Sequence, residues 1–154
     1  MYDLGYKYAK EHYEEIAAGL KEGETIKFIG HSEGAAFAAG MAAYFAEWYG
    51  VGGRTAFVES SLYLAADEGN EFNAPKYTPT IEAVFEDDKV TRARPVNNID
   101  YRIQFKNGAP FAHGRIVSPI VLNRIREIMN EIINSNDFES VDVGDAIIYK
   151  RKAK

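Results

Sequence analysis

Hydrophobic and polar residues follow two periods along the chain, one helical and one extended. Over residues 2–22, apolar side chains recur every three or four positions with lysine and glutamate between them, which predicts an amphipathic helix. Residues 25–29 are a short apolar segment that stops at Gly30 and predicts a strand. A second helix is predicted over 33–49, and its many alanines would let its backbone lie close to a sheet.

The rest of the chain continues this alternation. Strands are predicted over 55–64 and 81–85, separated by a loop at 67–79 that is rich in Gly, Asn and Pro. A helix over 119–135 has a regular apolar face, and a last strand is predicted over 141–150. The sequence therefore predicts an α/β fold of about five strands, with a mostly parallel sheet flanked by helices. With 154 residues and no repeat or long linker, residues 1–154 are expected to form a single domain.

Two turn signals refine this order. Asn107-Gly108 lies between Arg102–Phe105 and Phe111, and this dipeptide between apolar segments favours a β-hairpin. Ser118 and Pro119 supply an N-cap and a first-turn proline, so the helix that follows is expected to begin there.

Composition and charge exclude several classes of protein. Hydrophobic residues make up 46% and charged residues 27%, which is typical of a folded globular chain rather than a disordered one. The net charge of -5 argues against a broad cationic surface, so no nucleic-acid partner is expected. No apolar stretch reaches the roughly 20 residues of a membrane helix, so no membrane span is expected. The absence of cysteine excludes disulfides, thiolate nucleophiles and Cys-ligated zinc, and it leaves the compartment open.

One motif points to catalysis. Gly30-His31-Ser32-Glu33-Gly34 matches the pattern G-x-S-x-G, and it lies between a predicted strand and a predicted helix. In that setting a sharp turn strains the serine backbone, and side chains at Gly30 or Gly34 are expected to collide with neighbouring backbone. The helix that follows would direct free N–H groups toward a developing oxyanion. The alternative interpretation is an ordinary strand-to-helix turn in which Ser32 is only an N-cap.

The segment 29–36, Ile-Gly-His-Ser-Glu-Gly-Ala-Ala, resembles the α/β-hydrolases. It is closest to their class 3 lipase-like group, whose elbow is Gly-His-Ser-x-Gly followed by small residues. The resemblance is strongest over residues 1–50 and looser over 80–135. It implies a serine hydrolase that cleaves carboxylic esters, lipids among them, with no cofactor. The alternative is a non-catalytic or incomplete hydrolase-like domain that acts as an interaction module or as part of a larger protein.

A serine nucleophile needs a base, and the three histidines of the chain are His12, His31 and His113. His31 lies within the motif and His12 within the first predicted helix. The resemblance implies the order serine, acid, histidine, with the histidine between the last core strand and a helix. His113, in the run Phe-Ala-His-Gly before the 119–135 helix, has that place.

Three aspartates are candidates for the acid. Asp88 follows the strand at 81–85 and resembles the family's strand-end Asp-x-Val, so it is preferred. Asp87 would replace it after a one-residue error in register. Asp100, in the run Asn-Asn-Ile-Asp, resembles the Asn-x-x-Asp run that contains the acid in many class 3 lipases. The ordinary alternative for Asp87 and Asp88 is a solvated acidic turn.

Two parts of an α/β-hydrolase core are not accounted for by the predicted elements, the strands before the elbow strand and the second oxyanion donor. The backbone N–H of Glu33 would be one oxyanion donor, with its carboxylate directed away. Most residues before the elbow strand are predicted to be one helix, so the N-terminal strands and the second donor are missing. A strand beside 25–29 could come from a preceding part of a longer chain, from a second protomer in a homo-oligomer, or from 141–150.

Three acidic residues in the predicted loop are the candidates for a metal site. Asp67, Glu68 and Glu71 could bind calcium, but their spacing differs from that of an EF-hand, so no metal is expected. The expected partner is a small-molecule ester or lipid substrate.

Overall fold

Helices and strands alternate around one sheet. The computed structural model describes residues 1–21, 24–48, 57–65, 80–90, 99–133 and 139–150, with 57–61 described as backbone alone. The elements in chain order are α1 (Tyr2–Ala18), β1 (Thr25–His31), α2 (Glu33–Glu47), β2 (Phe57–Leu64), β3 (Thr80–Phe85), β4 (Tyr101–Phe105), α3 (Ala112–Arg115), α4 (Pro119–Ile128) with a π-helical continuation (Met129–Ile133), β5 (Ser140–Asp142) and β6 (Ala146–Lys150).

The six described strands form a mixed sheet in the order β1-β2-β3-β4-β6-β5. Strands β1 to β4 run parallel to one another, whereas β6 is antiparallel to both β4 and β5. This is the α/β arrangement with a mostly parallel sheet that the alternation of elements predicts. The predicted strand 141–150 is two strands, because the chain turns at Gly144, whose φ is 98°.

The last two strands do not lie beside β1. Strand β6 pairs with β4, with Ile148 opposite Ile103, while β1 lies at the other end of the order of described strands. The alternative in which 141–150 supplies the strand beside 25–29 is therefore wrong. Consecutive elements usually pack as neighbours, and α4 packs on the sheet near β4, so the chain adds its final strands there.

The predicted hairpin at Asn107-Gly108 is also wrong. Residue Phe111 does not lie in a returning strand but directly precedes α3. The reason is that the carboxylate of Asp87 accepts the N–H groups of Gly108 and Ala109, each at 2.7 Å. These donors are therefore bonded to the turn after β3, and the chain continues into α3 rather than into a returning strand.

The two faces of the sheet are covered by different helices. Leu62 and Leu64 of β2 belong to the same buried cluster as α4, whereas Tyr63 between them packs with the small residues of α2. Because successive residues of a strand point to opposite faces, α2 and α4 lie on opposite sides of the sheet. The alanine-rich helix does lie close to the sheet, as predicted, through three fully buried alanines, Ala35, Ala36 and Ala39.

The predicted helices agree with the observed ones over the described residues, although α1 ends at Ala18, and the predicted ends at 22, 49 and 135 lie outside the described residues. Ser118 is the N-cap residue of α4 as predicted, although its side chain makes no capping hydrogen bond in the part of the chain that is described. The predicted loop at 67–79 lies outside the described residues. None of the helices described is both long enough and apolar enough to cross a membrane.

Candidate active site

Strand β1 and helix α2 are joined by a strained turn at a single residue, Ser32. Its backbone has φ 57° and ψ −123°, a combination that L residues rarely adopt. Such conformations cost of order 1–3 kcal/mol and persist where surrounding structure holds them in place. Here the N–H of Ser32 donates to the carbonyl of Leu64 at 2.9 Å, and the N–H of Ala35 donates to the carbonyl of Ser32 at 3.0 Å. The sharp turn predicted from the motif is therefore present.

The two glycines of the motif have different surroundings. A Cβ on Gly30 would lie 2.7 Å from Ala35 Cα and would also press on the backbone of Gly34. A Cβ on Gly34 would meet nothing within 4 Å. The predicted collision is thus confirmed at Gly30 and wrong at Gly34, because the hydrogen at Gly34 that a side chain would replace faces open space.

The hydroxyl of Ser32 faces an imidazole. Ser32 Oγ lies 2.7 Å from Nε2 of His113, which is 81 positions away in the sequence. Although Ser32 occupies the N-cap position of α2, its side chain makes no capping hydrogen bond. The interpretation of Ser32 as an ordinary capping residue therefore does not describe this turn.

The other nitrogen of the same imidazole contacts a buried carboxylate. His113 Nδ1 lies 2.8 Å from Oδ2 of Asp88, a residue that is 2% exposed. The second carboxylate oxygen, Oδ1, accepts the N–H of Val90 at 3.0 Å. Because an ionised carboxylate only accepts, Nδ1 of His113 must carry the proton, and Nε2 is then free to accept the hydroxyl proton of Ser32.

Strand direction explains why these three residues meet. Ser32 follows β1, Asp88 follows β3, and His113 follows β4 after a turn. Strands β1 to β4 are parallel, so their carboxyl ends lie along one edge of the sheet. Side chains supplied by the segments that follow those ends converge there, as ligand-binding groups generally do in open α/β sheets.

Asp87 has a different role from Asp88. Its carboxylate accepts the backbone N–H groups of Gly108 and Ala109 rather than a proton from His113. The bond from Gly108, with that from Ala109, holds the pKa of Asp87 below its ordinary value of 3.8. Asp87 therefore anchors the turn that precedes α3, and the structure does not place it as the histidine's partner.

Asp100 lies at the opposite end of the strands. It precedes β4, and its Oδ2 accepts both the N–H and the hydroxyl of Thr80, the first residue of β3, at 2.9 Å each. The N–H of Asp100 donates to the Thr80 carbonyl at 3.0 Å. Asp100 thus ties the beginnings of β3 and β4 together, and the structure does not bring it to His113.

Glu33 begins α2 directly after the strained serine. As the first residue of the helix, its N–H has no acceptor within the helix, so it remains available to an oxyanion. The residue is exposed, and a carboxylate in the first turn of a helix is favoured by the helix dipole.

His31 makes a contact that the motif does not indicate. Its Nε2 lies 2.8 Å from the backbone carbonyl oxygen of His113, so Nε2–H donates to that carbonyl. The two imidazole rings lie 5.2 Å apart between centroids. The pattern G-x-S-x-G leaves the position of His31 unspecified, and although the lipase-like elbow has a histidine there, neither pattern indicates a bond to the backbone of His113.

The remaining candidates lie away from this site or outside the described residues. The imidazole of His12 stacks on the ring of Tyr8, with the two centroids 4.2 Å apart. His12 Nδ1 lies 3.4 Å from a carboxylate oxygen of Glu15, which is also in α1. Asp67, Glu68 and Glu71 belong to a part of the chain that is not described. Among the residues that are described, no three His, Asp or Glu side chains lie together as a metal site.

Comparison with known proteins gives no relative for this chain. No protein-family model, no curated protein and no solved structure matches it. The interpretation of the site therefore depends on its own geometry.

Proposed function

We propose that this protein is a serine hydrolase that cleaves carboxylic esters, lipase- or esterase-like, through Ser32, His113 and Asp88. One observation carries the proposal. A continuous hydrogen-bonded chain runs from Ser32 Oγ to His113 Nε2 at 2.7 Å and from His113 Nδ1 to Asp88 at 2.8 Å, and it begins at a residue with a strained backbone. A capping serine or a structural histidine would require neither the strain nor the alignment.

In the proposed reaction, Ser32 Oγ attacks the ester carbonyl carbon while His113 Nε2 takes the hydroxyl proton. The C–O bond to the leaving alcohol then breaks, and His113 returns the proton to that alcohol. Water hydrolyses the acyl-serine by the same route in reverse, which releases the carboxylic acid and restores Ser32. Asp88, buried and held by Val90, keeps the imidazole in the tautomer that can accept the proton and stabilises its charged form.

The backbone N–H of Glu33 is the oxyanion donor that the described residues offer. One such donor contributes about 2.7–4 kcal/mol at the transition state. In the α/β-hydrolases, which the motif resembles, a second donor comes from a loop before the elbow strand. We infer that a second copy of this protein is one source of this donor, and light scattering on the purified chain distinguishes a dimer from a monomer.

The chain segment around His113 contains exposed apolar side chains, which supports an apolar substrate. Phe111, two residues before His113, is 77% exposed, and Ile120 at the start of α4 is 84% exposed. Contact with an apolar group of a substrate would remove these side chains from water, which is favourable. We therefore infer that the acyl or alcohol group of the substrate is apolar, as in a lipid ester.

The test is covalent labelling of the nucleophile with a fluorophosphonate probe. The native chain is expected to be labelled on Ser32, as identified by mass spectrometry of the modified peptide, and to hydrolyse p-nitrophenyl butyrate. Ser32→Ala should lose both signals. Ser118→Ala is the matched control, because it removes a hydroxyl from another helix N-cap without touching the chain of hydrogen bonds.

The alternative function, an interaction module that retains the turn for folding, predicts a different outcome. In that case the native protein would not be labelled at any pH between about 6 and 9, the range over which histidine changes its charge and beyond. Equal labelling of the native chain and of Ser32→Ala would also contradict the proposal, because the probe would then react elsewhere.

A further inference from the structure

We propose that His31 is a positioning residue that fixes the main chain of His113, the histidine to which the proposed function assigns the role of base. The inference rests on that function for its catalytic meaning. The observation is the hydrogen bond from His31 Nε2–H to the carbonyl oxygen of His113, at 2.8 Å. The residue before the proposed nucleophile thus holds the backbone of the proposed base.

The carbonyl of His113 is available for this bond because α3 is short. In a longer helix, the N–H four residues further along, that of Val117, would donate to the carbonyl of His113. Here the N–H of Val117 donates to the carbonyl of Gly114 instead, at 3.2 Å. A backbone carbonyl without a partner is costly away from water, and the imidazole of His31 supplies the missing donor.

The donor itself is held by the sheet. His31 is the last residue of β1 and pairs with Leu64 of β2, and the next N–H, that of Ser32, donates to the Leu64 carbonyl. The segment that contains His113 has less support of its own, because a helix of four residues is unstable in isolation. The hydrogen bond from His31 therefore holds the backbone of His113 at a fixed position relative to the sheet. The imidazole of His113 extends from that backbone.

Small displacements at this point matter for the proposed chemistry. The imidazole of His113 must meet Ser32 Oγ and Asp88 Oδ2 at the same time, and both distances are below 3 Å. A shift of about 1 Å in a positioning element can lower the rate of a reaction about 100-fold. If His31 sets the backbone position, its loss should lower kcat and leave KM nearly unchanged, because substrate binding does not use the bond.

The experiment compares three replacements that differ in the donor they keep. His31→Gln places an amide N–H as many bonds from Cβ as Nε2 is in histidine, so it can reach the same carbonyl. His31→Asn carries the same amide one bond short, and His31→Phe retains a ring without a donor. We expect kcat for p-nitrophenyl butyrate to fall about 10- to 100-fold in His31→Phe and His31→Asn, and to stay within about 3-fold of native in His31→Gln.

A second measurement does not depend on hydrolysis. The proton between His113 Nδ1 and Asp88 should give a low-field proton NMR resonance in the substrate-free protein. We expect this resonance in the native protein and in His31→Gln, and its broadening or loss in His31→Phe, with urea unfolding midpoints confirming that each variant is folded. This pattern without any hydrolysis would overturn the proposed function and leave the positioning role standing. Full activity and an unchanged resonance in His31→Phe, or equal losses in His31→Gln and His31→Phe, would overturn the positioning role.

Discussion

Asp87, Asp88 and Asp100 are chemically identical side chains, and their immediate neighbours decide what each can do. Asp88 is buried against an imidazole, Asp87 binds two backbone N–H groups, and Asp100 binds Thr80. An aspartate can fix a histidine tautomer only where it accepts the ring N–H directly. At the residue scale, the contact and not the sequence position therefore identifies the proposed acid.

Asp88→Asn should lower kcat by about 10⁴-fold while the protein remains folded. An asparagine at this site can present its NH₂ group to His113 Nδ1, which favours the tautomer whose Nε2 carries the proton and cannot accept one from Ser32. The measurement is the steady-state rate of ester hydrolysis, with thermal unfolding as the check on folding.

Asp100→Asn is the matched control, since it removes the same charge and retains an oxygen that can accept from Thr80. Its kcat should stay within about 3-fold of native, because it lies at the other end of the strands. A large loss of activity in Asp100→Asn together with a small one in Asp88→Asn would contradict the proposed acid.

At the scale of elements, the junction of β1 and α2 depends on how closely the strand end approaches the first turn of the helix. That approach is limited at Gly30, where a Cβ would meet the backbone of Gly34 and Ala35. The sequence pattern treats both glycines of the motif alike, whereas the structure shows that the packing of the strand against the helix requires only one of them.

Gly30→Ala should destabilise the protein and Gly34→Ala should not. Backbone atoms cannot move aside as a flexible side chain can, so we expect Gly30→Ala to lower the free energy of unfolding by about 1–3 kcal/mol. Gly34 lies in the helix with open space around it, and alanine there should leave stability unchanged or raise it by up to about 1 kcal/mol.

Urea unfolding of the two variants in parallel measures this difference. Because both changes add one methyl group to the same motif, the comparison separates the close approach at Gly30 from any general effect of replacing a glycine. Equal destabilisation in both variants would show that the junction does not depend on the contact at Gly30.

At the scale of the whole molecule, ionised carboxylates join segments that are distant in sequence. Asp87, after β3, accepts from the turn that precedes α3, and Asp142 of β5 accepts the N–H of Gly144 and contacts Lys106 after β4 at 2.9 Å. The pKa of Asp142 lies below its ordinary value of 3.8, first because of the bond from Gly144 and then because of Lys106. The pKa of Asp87 is lowered in the same direction.

These lowered pKa values predict that stability falls in acid. A carboxyl group whose pKa is lower in the folded than in the unfolded state stabilises the fold above its unfolded pKa, here about 3.8, and this contribution is lost as the pH falls through the folded pKa. At pH 7 the native protein should therefore have a higher thermal unfolding midpoint than the double variant Asp87→Asn, Asp142→Asn. The difference should shrink progressively below about pH 4. A constant difference across this range would contradict the assignment of these two groups.

The sequence by itself determined the period of each segment and the order of the candidate residues along the chain. Apolar spacing depends on local geometry, so the three predicted helices and the parallel strands were found in their places. The motif placed Ser32 at a strand-to-helix turn for the same local reason. The order of elements then put His113 after the last parallel strand, before a helix.

The tertiary structure alone decided which side chains meet. The bonds of His113 to Asp88 and to Ser32 span 25 and 81 positions, and such contacts depend on the pairing and direction of strands. The same holds for the place of β6 beside β4 and for the bond from His31 to the His113 carbonyl. A local pattern sets the conformation of a few neighbouring residues, whereas hydrogen-bond partners distant in sequence are chosen when the whole sheet and its helices pack.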